Sequence, residues 1–506
     1  MTHQPLEGSK AAITFVAMAA ALMALIDISI VNVALSDIRA SFGTPIDEIG
    51  WVSTGYMMAN IVVIPMTGWF QRRFGYARYF STSVLLFTTA SALCGLAWNL
   101  PSLVVFRVLQ GMGGGAIIPT AQAILFQRYP RSQHGMAAAL FGLGAITGPL
   151  LGPTIGGYLI EWSSWHWIFL VNVPIGLIVG LVIPRVIEEP GFQPDRRPID
   201  LGGIALLAVG MASLQYVLEE GNREGWTDST LILVLGAVSA IALVTFIVHE
   251  LETPNPVCDL RVFKNRSYSA GTGLNFLLGF ALFGASYLFS LYCGAVMNYT
   301  ALDIGRIFLL AGLSQVFLMP VIGKMANTID PRYMLMFGVT MATLSQLVAS
   351  ELTAQADFYD LVWPNLIRSL GLGFVFIPVS VAALSDLPPP QRGNATGLFN
   401  LTRELGGSLG TAWMGKVLAD GIARHGAQLG EHVTWFDPPA IEQWRQIARH
   451  GLEPAAVLGR RIATESMVLS FNDGFRMTMT SIGLGIIMVL LLKKPPKTAG
   501  APSGAH

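Results

Sequence analysis

The chain has 506 residues, of which 53% are hydrophobic and only 12% are charged, and its formal net charge is zero. Soluble domains carry about 25% charged residues, so this chain has too few charges to cover the two or three soluble cores that its length would imply. The balanced charge also argues against a nucleic-acid-binding protein, which needs a basic face.

Apolar segments recur along the whole chain, and fourteen of them approach the roughly 20 residues that a membrane span needs. The first follows a polar N-terminus without a small-residue cleavage site, so we interpret it as a span and not as a signal peptide. The sequence therefore predicts an all-α integral membrane protein with fourteen transmembrane helices. The predicted spans are 12–36, 49–70, 79–98, 102–125, 135–159, 166–187, 200–218, 230–250, 269–295, 303–324, 333–352, 362–384, 393–418 and 475–492.

Lysine and arginine are distributed unevenly between the two sets of short loops. Basic residues concentrate in cytoplasmic loops of membrane proteins, and the bias here predicts that both termini are cytoplasmic. The opposite short loops contain almost no basic residues, and Arg39 and Arg223 are the main exceptions. The basic set comprises Arg72, Arg73, Arg78, Arg128, Arg131, Arg196, Arg197, Arg261, Lys264, Arg266, Lys324, Arg332 and Arg392, with Lys493, Lys494 and Lys497 in the tail.

One predicted loop, 420–469, is long and lies between the last two spans on the outer side. Prolines favour helix starts, and Pro438, Pro439 and Pro454 predict two short helices near 439–450 and 454–468. Long ordered loops are often functional, so this loop is either a docking surface for a partner or a solvated cap.

An internal repeat indicates how the helices are grouped, as in many transporters. Arg107–Pro119 and Arg368–Pro378 each follow a proline-containing loop and place an arginine early in an apolar, glycine-rich helix. If each repeat has six helices, two helices are inserted between them. The predicted domains are a six-helix bundle at 1–187, two inserted helices with linkers at 188–267, a second bundle at 268–495 and a cytoplasmic tail at 496–506.

Charged residues within spans are the strongest functional signal, because a central charge costs about 2.5–3.5 kcal/mol and usually marks an ion or substrate path. Asp27 lies in the middle of the first span and can carry a proton. Arg107 in the fourth span is its expected partner. The alternatives are a structural carboxylate at Asp27 and an arginine that reaches the interface by snorkelling. Gln110, one turn after Arg107, and Asn32 are predicted to line the substrate cavity.

The thirteenth span contains the adjacent residues Arg403 and Glu404. Neighbouring helical side chains point about 100° apart, so the two need not pair. We predict Arg403 to be a cavity residue or a gate residue and Glu404 to be a second protonation site. Tyr56 could bind flat apolar molecules, with helix packing as its alternative role.

A glycine- and proline-rich run in the fifth span predicts a bendable helix against which a neighbour packs closely. The chain shows no convergent catalytic set, and Gly410–Val417 falls one residue short of a phosphate loop and lacks its Ser/Thr. We therefore expect no enzyme, no cofactor and no metal. The gating residues predicted in the run are Gly148, Pro149, Gly152, Pro153, Gly156 and Gly157.

In their order and spacing, these motifs resemble the major facilitator superfamily, and most closely its fourteen-span drug:proton antiporters of the EmrB/QacA type. The resemblance covers about residues 10–495, and its five motifs are Ile26–Leu35, Gly68–Gly75, Arg107–Gly111, Gly148–Gly157 and Trp167–Gly176. It implies that Gly68, Arg72 and Gly75 belong to a gate. Most of the superfamily has an acidic residue where Arg72 stands, although EmrB-type pumps are similar to this chain there.

The resemblance implies two six-helix bundles plus two inserted helices, working by alternating access in the bacterial inner membrane. It implies proton-driven export of hydrophobic drugs, with protons as the coupling ion. It also implies an EmrA-like periplasmic membrane-fusion adaptor and a TolC-like outer-membrane channel as partners. The alternative is a dedicated exporter of one natural compound, such as an organic acid or a siderophore. The fifth-span motif disfavours an uptake symporter, and no ring of pore-lining groups indicates a channel.

Overall fold

The computed structural model describes residues 9–45, 48–431 and 453–492. These residues are folded almost entirely into α-helices joined by short connections. In chain order the helices are α1 (Lys10–Phe42), α2 (Trp51–Phe74), α3 (Tyr76–Cys94), α4 (Leu100–Arg128), α5 (His134–Trp162), α6 (Trp167–Leu170), α7 (Asn172–Val186), α8 (Leu201–Glu220), α9 (Thr230–Glu252), α10 (Arg266–Ala295), α11 (Ala301–Met325), α12 (Pro331–Ala349), α13 (Phe358–Leu384), α14 (Pro389–Glu431) and α15 (Pro454–Leu491).

The prediction of an all-helical membrane protein is confirmed. A helix lies at each predicted span, and α6 and α7 share the sixth, separated by Val171. Among the described residues, nine helices are long and apolar enough to cross a membrane. The number of fourteen crossings, and the orientation of the termini, stay predictions.

The helices pack as two groups with a pair inserted between them. In the first group α1 packs on α5, α2 on α4, and α3 on both α4 and α7. In the second, α10 packs on α13, α14 and α15, while α12 packs on α13 and α15. The inserted helices α8 and α9 pack on each other, and α8 also contacts α2 and α14. The domain boundaries at 187 and 267 stay predictions, and the tail 496–506 lies outside the described residues.

Two helices of the second group extend well beyond the thickness of a membrane. At 1.5 Å per residue, α14 with 43 residues and α15 with 38 residues are about 65 and 57 Å long, against a hydrocarbon core of about 30 Å. Their extensions pack together, since Asp473 accepts hydrogen bonds from Arg424 and His425, both at 2.8 Å.

The start of the predicted loop is therefore wrong, because α14 continues from residue 420 to Glu431. The helix predicted at 454–468 is present, but as the first part of α15 and not as a separate element. The prediction failed because this stretch is polar, and polar stretches between spans are typical of loops. A polar helix is stable here because it pairs with a neighbour. The helix predicted at 439–450 lies outside the described residues.

Glycines bring α10 and α14 into backbone contact. A Cβ atom on Gly279 would collide with the carbonyl oxygen of Arg403, and one on Gly406 would collide with that of Phe276. Small residues at helix crossings allow this approach within a membrane. The contact fixes the position of Arg403 and its neighbours beside α10.

Candidate functional site

Asp27, in the middle of α1, is completely buried and lies at the centre of a hydrogen-bonded cluster. Its Oδ2 accepts a hydrogen bond from the Arg107 guanidinium of α4 at 2.7 Å. Its Oδ1 accepts from the amides of Gln110 and Asn172, both at 2.8 Å. Three donors therefore surround one carboxylate, which is the environment that stabilises a buried ionised acid.

Arg107 is buried like Asp27, with 1% of its surface exposed, and its guanidinium has several partners. Its Nε donates to the carbonyl oxygen of Val52 at 3.0 Å, and a terminal nitrogen donates to Gln110 Oε1 at 2.7 Å. The guanidinium carbon lies 4.2 Å from the centre of the Tyr56 ring, a cation–π distance. Arg107 does not reach an interface, so the snorkelling alternative is wrong in this conformation.

The sequence analysis missed two members of this cluster. Asn172 begins α7 and connects Asp27 to Ser91 of α3, whose hydroxyl accepts from the Asn172 amide at 3.2 Å. Asn172 lies within the motif Trp167–Gly176, but we assigned it no role. The sequence signal for its role was a polar amide, Asn172, that stands between apolar residues within a predicted span.

The glycine-rich helix α5 packs directly on the part of α1 that carries Asp27. Cβ atoms on Gly148, Gly152 and Gly156 would collide with Leu25, Ser29 and Ile30, respectively. The Ser29 hydroxyl donates to the carbonyl oxygen of Gly148 at 3.3 Å. The three glycines therefore form a track of small residues that lets α1 and α5 pack closely. Their role as gating residues stays a prediction.

Other members of this run are placed differently. A Cβ atom on Gly157 would meet no atom within 4 Å. Helix α5 continues without a break through Pro149 and Pro153, and the side chains of these prolines lie outside the described part of the structure. The bendable character of the helix stays a prediction.

Two predicted cavity residues do not share an open site. Asn32 is exposed, and its Oδ1 accepts from the Ser53 hydroxyl at 3.3 Å. Tyr56 is 1% exposed and packs beneath Arg107. In this conformation Tyr56 supports the buried cluster instead of lining a cavity, so its substrate-binding role stays a prediction for another conformation.

Arg403 and Glu404 form a weak pair although they are adjacent in α14, with 3.4 Å between Nη2 and Oε1. The Arg403 side chain is 6% exposed and that of Glu404 26% exposed. The Arg403 guanidinium lies 5.7 Å from the centre of the Phe376 ring, and Phe376 in turn stacks on Phe141 of α5. The pair thus lies close to the junction of the two helix groups.

The two helix groups meet at the end of the molecule that carries Arg72, Arg131 and Arg392, which we call the basic end. Hydrogen bonds join Asn400 to Gln122 at 2.6 Å, and Arg392 to the carbonyl oxygen of Phe126 at 3.2 Å. The basic end is therefore closed in this conformation.

A second set of contacts at the basic end joins α5 to the helices of the second group. His134 pairs with Ser385 at 2.8 Å, and the backbone N–H of Gly135 donates to Asn327 at 2.9 Å. Gly135 packs against the carbonyl oxygen of Gly323. Closure at this end thus combines hydrogen bonds with glycine contacts that leave no space for a side chain.

The predicted gate residues of α2 lie at this closed end. A Cβ atom on Gly68 would collide with the backbone of Asn394 in α14. Arg72 donates to the carbonyl oxygen of Pro256 at 3.4 Å, in the linker after α9. Gly75 has a φ of 82°, in the left-handed region that favours glycine. Beside it, the carboxylate of Glu189 accepts a hydrogen bond from the backbone N–H of Ala77 at 2.6 Å.

The linkers of the inserted helices cover the basic end. Asp195 lies in the first linker, and its hydrogen bond with Arg197 lowers the pKa of that carboxyl to about 2. In the second linker, the N–H of Asp259 donates to Asn394 at 3.1 Å while the Asn394 amide returns a bond to the Asp259 carbonyl oxygen at 2.9 Å. The second linker therefore connects the two groups at this end, because it bonds both to Arg72 of α2 and to Asn394 of α14.

No group of His, Cys, Asp and Glu suited to a metal ion occurs within the described ranges. The cysteines Cys94, Cys258 and Cys293 are free and buried. The arrangement instead offers a buried ion pair that joins α1 to α4.

The family model of the Major Facilitator Superfamily matches residues 17–411. The chain is 34% identical to the Multidrug export protein EmrB of Escherichia coli K12, over 100% of this chain and 99% of that protein. It is 30% identical to the Fatty acid resistance protein FarB of Neisseria gonorrhoeae, over the full length of both. The human organic anion transporter MFSD10 has a similar fold, with a TM-score of 0.60 and 13% identity over 94% of this chain and 100% of that chain.

Proposed function

This chain belongs to the major facilitator superfamily, among its EmrB-like drug transporters, and on that premise we propose that it exports hydrophobic drugs or toxic small molecules in exchange for protons. The observation that carries the proposal is the buried pair of Asp27 and Arg107, which joins α1 to α4. A proton that neutralises Asp27 removes the charge that holds Arg107 and its neighbours. Protonation then favours a different arrangement of these helices.

Alternating access follows from the same contacts. The glycine track of α5 lets α1 move, and the closed basic end is one of the two end states that such a transporter needs. We propose that proton release or uptake at Asp27 biases the equilibrium between the closed and the open basic end. Glu404 is a second candidate for a proton site, because its carboxylate is partly buried and lies beside Arg403.

We expect export by the purified full chain in liposomes to depend on a pH gradient. A pH difference of one unit supplies about 1.4 kcal/mol per proton, enough for a roughly tenfold gradient of the cargo. Ethidium accumulation in proteoliposomes should follow an imposed pH gradient and disappear when a protonophore collapses it. Empty liposomes give the background. Accumulation that survives the protonophore would show that transport is not coupled to protons.

The alternative is a dedicated exporter of one natural compound such as an organic acid or a siderophore. The relative named for fatty acid resistance, at 30% identity, is the observation that favours it. In the same proteoliposomes, a panel of unrelated drugs distinguishes the two. Transport of a single compound supports the dedicated exporter, and transport of many supports the multidrug exporter.

We further propose that the chain lies in the inner membrane with both termini cytoplasmic, and that it works with an EmrA-like adaptor and a TolC-like channel. The paired extensions of α14 and α15 support this partnership, because they project beyond the membrane on the side opposite the basic end. Their charged residues, such as Arg424 with 60% of its side chain exposed, are available to a partner.

Removing the adaptor should abolish drug resistance in whole cells but leave export in proteoliposomes unchanged. The physical reason is that the adaptor connects the transporter to the outer membrane and takes no part in the exchange itself. Growth of a drug-sensitive strain that expresses the chain with and without the adaptor measures the first effect. Equal resistance in both strains would exclude an obligatory adaptor.

A further inference from the structure

Helix α9 ends with a buried carboxylate that is only half satisfied. Glu250 is 1% exposed, and its Oε2 accepts a hydrogen bond from the backbone N–H of Cys258 at 3.1 Å. Its Oε1 is also buried, but among the described residues no donor forms a hydrogen bond with it. An ionised oxygen that is buried without a donor is costly. A proton on Glu250 removes this cost if an acceptor lies close to Oε1.

Asp200, which immediately precedes α8, supplies that acceptor. A Cβ atom on Gly203 of α8 would lie 2.5 Å from Asp200 Oδ2 and 2.7 Å from Glu250 Oε1. The two oxygens therefore approach each other across the space that a side chain would fill, and we call Asp200 and Glu250 the carboxylate pair. Two carboxylates at such close range in a buried place are costly to ionise together, and such pairs bind a proton between them.

His249 connects the carboxylate pair to water. Its Nε2 lies 2.8 and 3.0 Å from the two carboxylate oxygens of Asp200, and 36% of its side chain is exposed. An imidazole exchanges protons readily near neutral pH. A proton can therefore pass from water to His249 and then to Asp200, where it is shared with the buried Glu250.

Glu250 also holds part of the second linker in place. Val257 and Cys258 of this linker are completely buried, and their backbone N–H groups face the Glu250 carboxylate. The two residues thus cover the carboxylate, and water reaches it only when they move away.

The residues on either side of this covered stretch make the contacts that join the two helix groups. The Pro256 carbonyl oxygen accepts a hydrogen bond from Arg72 of α2. Asp259 exchanges two hydrogen bonds with Asn394 of α14. Detachment of the second linker would therefore both loosen the basic end and expose Glu250 to water.

The charged groups around the carboxylate pair balance one another and leave its second negative charge uncompensated. Two of them are anions and two are cations, and an imidazole and a buried thiol are the other titratable groups. In that order they are Glu252, Asp259, Arg72, Arg261, His249 and Cys258. Within the described part of the chain, no lysine or arginine forms an ion pair with either member of the pair, and His249 is the base that contacts Asp200.

We propose that Asp200 and Glu250 hold one proton between them while the basic end is closed, and that this proton leaves through His249 when the second linker detaches. The proton enters and leaves at the same end of the molecule, so this site moves no charge across the membrane. It differs from Asp27 in this respect. It goes beyond the proposed export, because it makes the inserted helices respond to the pH at the basic end.

The direction of the pH effect follows from the linkage between proton binding and closure. The closed conformer holds the proton, and the open conformer, in which water solvates Glu250, releases it. A lower pH at the basic end therefore favours closure, and a higher pH favours opening. For one proton, the ratio of closed to open conformers changes by at most about tenfold per pH unit.

Spin-label distances across the basic end test the proposal on the purified full chain. Cysteines at Ser132 and Asp386, exposed residues on opposite sides of the junction, carry the labels in a background without the native cysteines. From about pH 6 to about pH 9, a range that includes buried carboxylates, the ratio of closed to open conformers should fall in the wild type. In Glu250→Gln this change should be smaller by at least about tenfold, because the amide donates to Asp200 at every pH and keeps the linker attached.

Glu252→Gln is the matched control, because Glu252 is an exposed acid at the same helix end, and it should keep the wild-type pH dependence. His249→Gln should also keep it at equilibrium, since both carboxylates remain. Asp27 is unchanged in all of these proteins, so the differences between them report on the carboxylate pair alone. Thermal unfolding at the alkaline end of the range should show that Glu250→Gln is no less stable than the wild type.

Several outcomes would overturn the proposal. They are wild-type distances that do not change with pH, and a Glu250→Gln variant that keeps the full wild-type dependence. Loss of the dependence in His249→Gln would place the proton on the imidazole instead. An equal loss in Glu252→Gln and in Glu250→Gln would show a general effect of charge at the end of α9.

The proposed function is tested separately by ethidium export. If export by the wild type follows a pH gradient, any of these outcomes removes only the proton site of the carboxylate pair. If closure depends on pH through Glu250 but no pH-driven export occurs, the proposed function fails and the proton site stands.

Discussion

Asp27→Asn is expected to abolish pH-driven export and to destabilise the protein. The carboxylate accepts hydrogen bonds from Arg107, Gln110 and Asn172, and an asparagine would direct an NH₂ group at one or more of these donors. Breaking a buried ion pair by removing one partner costs about 3–5 kcal/mol, because the remaining charge is left without compensation. Ethidium transport in proteoliposomes and the thermal unfolding temperature measure the two effects.

Asp37→Asn is the control for this variant. Asp37 lies on the same helix but is exposed, and it receives a hydrogen bond only from the neighbouring Ser36 hydroxyl among the contacts described. Water already solvates this carboxylate. Its replacement should therefore leave the transport rate and the equilibrium constant of unfolding within a factor of about two of the wild-type values.

A double variant separates a coupling role from a structural one. Asp27→Asn combined with Arg107→Gln leaves no charge in the cluster, so stability should recover by a large part of the loss. Export should stay absent, because the group that takes the proton is still missing. Recovery of pH-driven export in the double variant would show that the ion pair only holds the helices together. Full export by Asp27→Asn alone would exclude Asp27 as the proton carrier.

Gly68→Val is expected to open the basic end and to arrest transport. The valine side chain would occupy the space of the Asn394 backbone, which belongs to the other helix group and cannot yield locally. An overpacking penalty of about 1–3 kcal/mol acts only on the conformer in which the two groups meet. It therefore changes the ratio of closed to open conformers by about 5- to 150-fold.

Spin-label distances across the basic end measure this shift. Ser132 and Asp386 are exposed and lie on opposite sides of the junction, next to the contact of His134 with Ser385. Cysteines at these two positions, in a background without the three native cysteines, should give longer distances in Gly68→Val than in the wild type. Ethidium export should fall by a similar factor, since alternating access requires both conformers.

Gly483→Val is the matched control, because a Cβ atom there would meet nothing within 4 Å. It should keep the wild-type distance distribution and transport rate. If Gly68→Val folds, as judged by size-exclusion chromatography, and still shows the wild-type distances, then Gly68 does not limit closure.

The sequence determined the helical fold because each span is a long local signal. Apolar length, loop charge and the repeat of Arg107 and Arg368 do not depend on how helices pack. The family resemblance depends on the order of five motifs along the chain, and it too was readable without coordinates. Asp27 and Arg107 stood out because a charge within a span is costly wherever its neighbours lie.

Tertiary structure alone decided which polar groups meet. Asn172 comes 145 positions after Asp27, and nothing in the spacing indicates that α7 brings them together. Tyr56 belongs to the buried cluster because α2 packs on α4, a relation that no local pattern encodes. The extensions of α14 and α15 are helical because two polar helices pair with each other, whereas polarity alone resembles a loop. Arg107 contacts the carboxylate of Asp27, whereas Arg368, at the corresponding place in the second repeat, contacts the hydroxyl of Ser286. Only the packing of α10 on α13 shows this difference, because the sequence does not tell which side chains are neighbours in space.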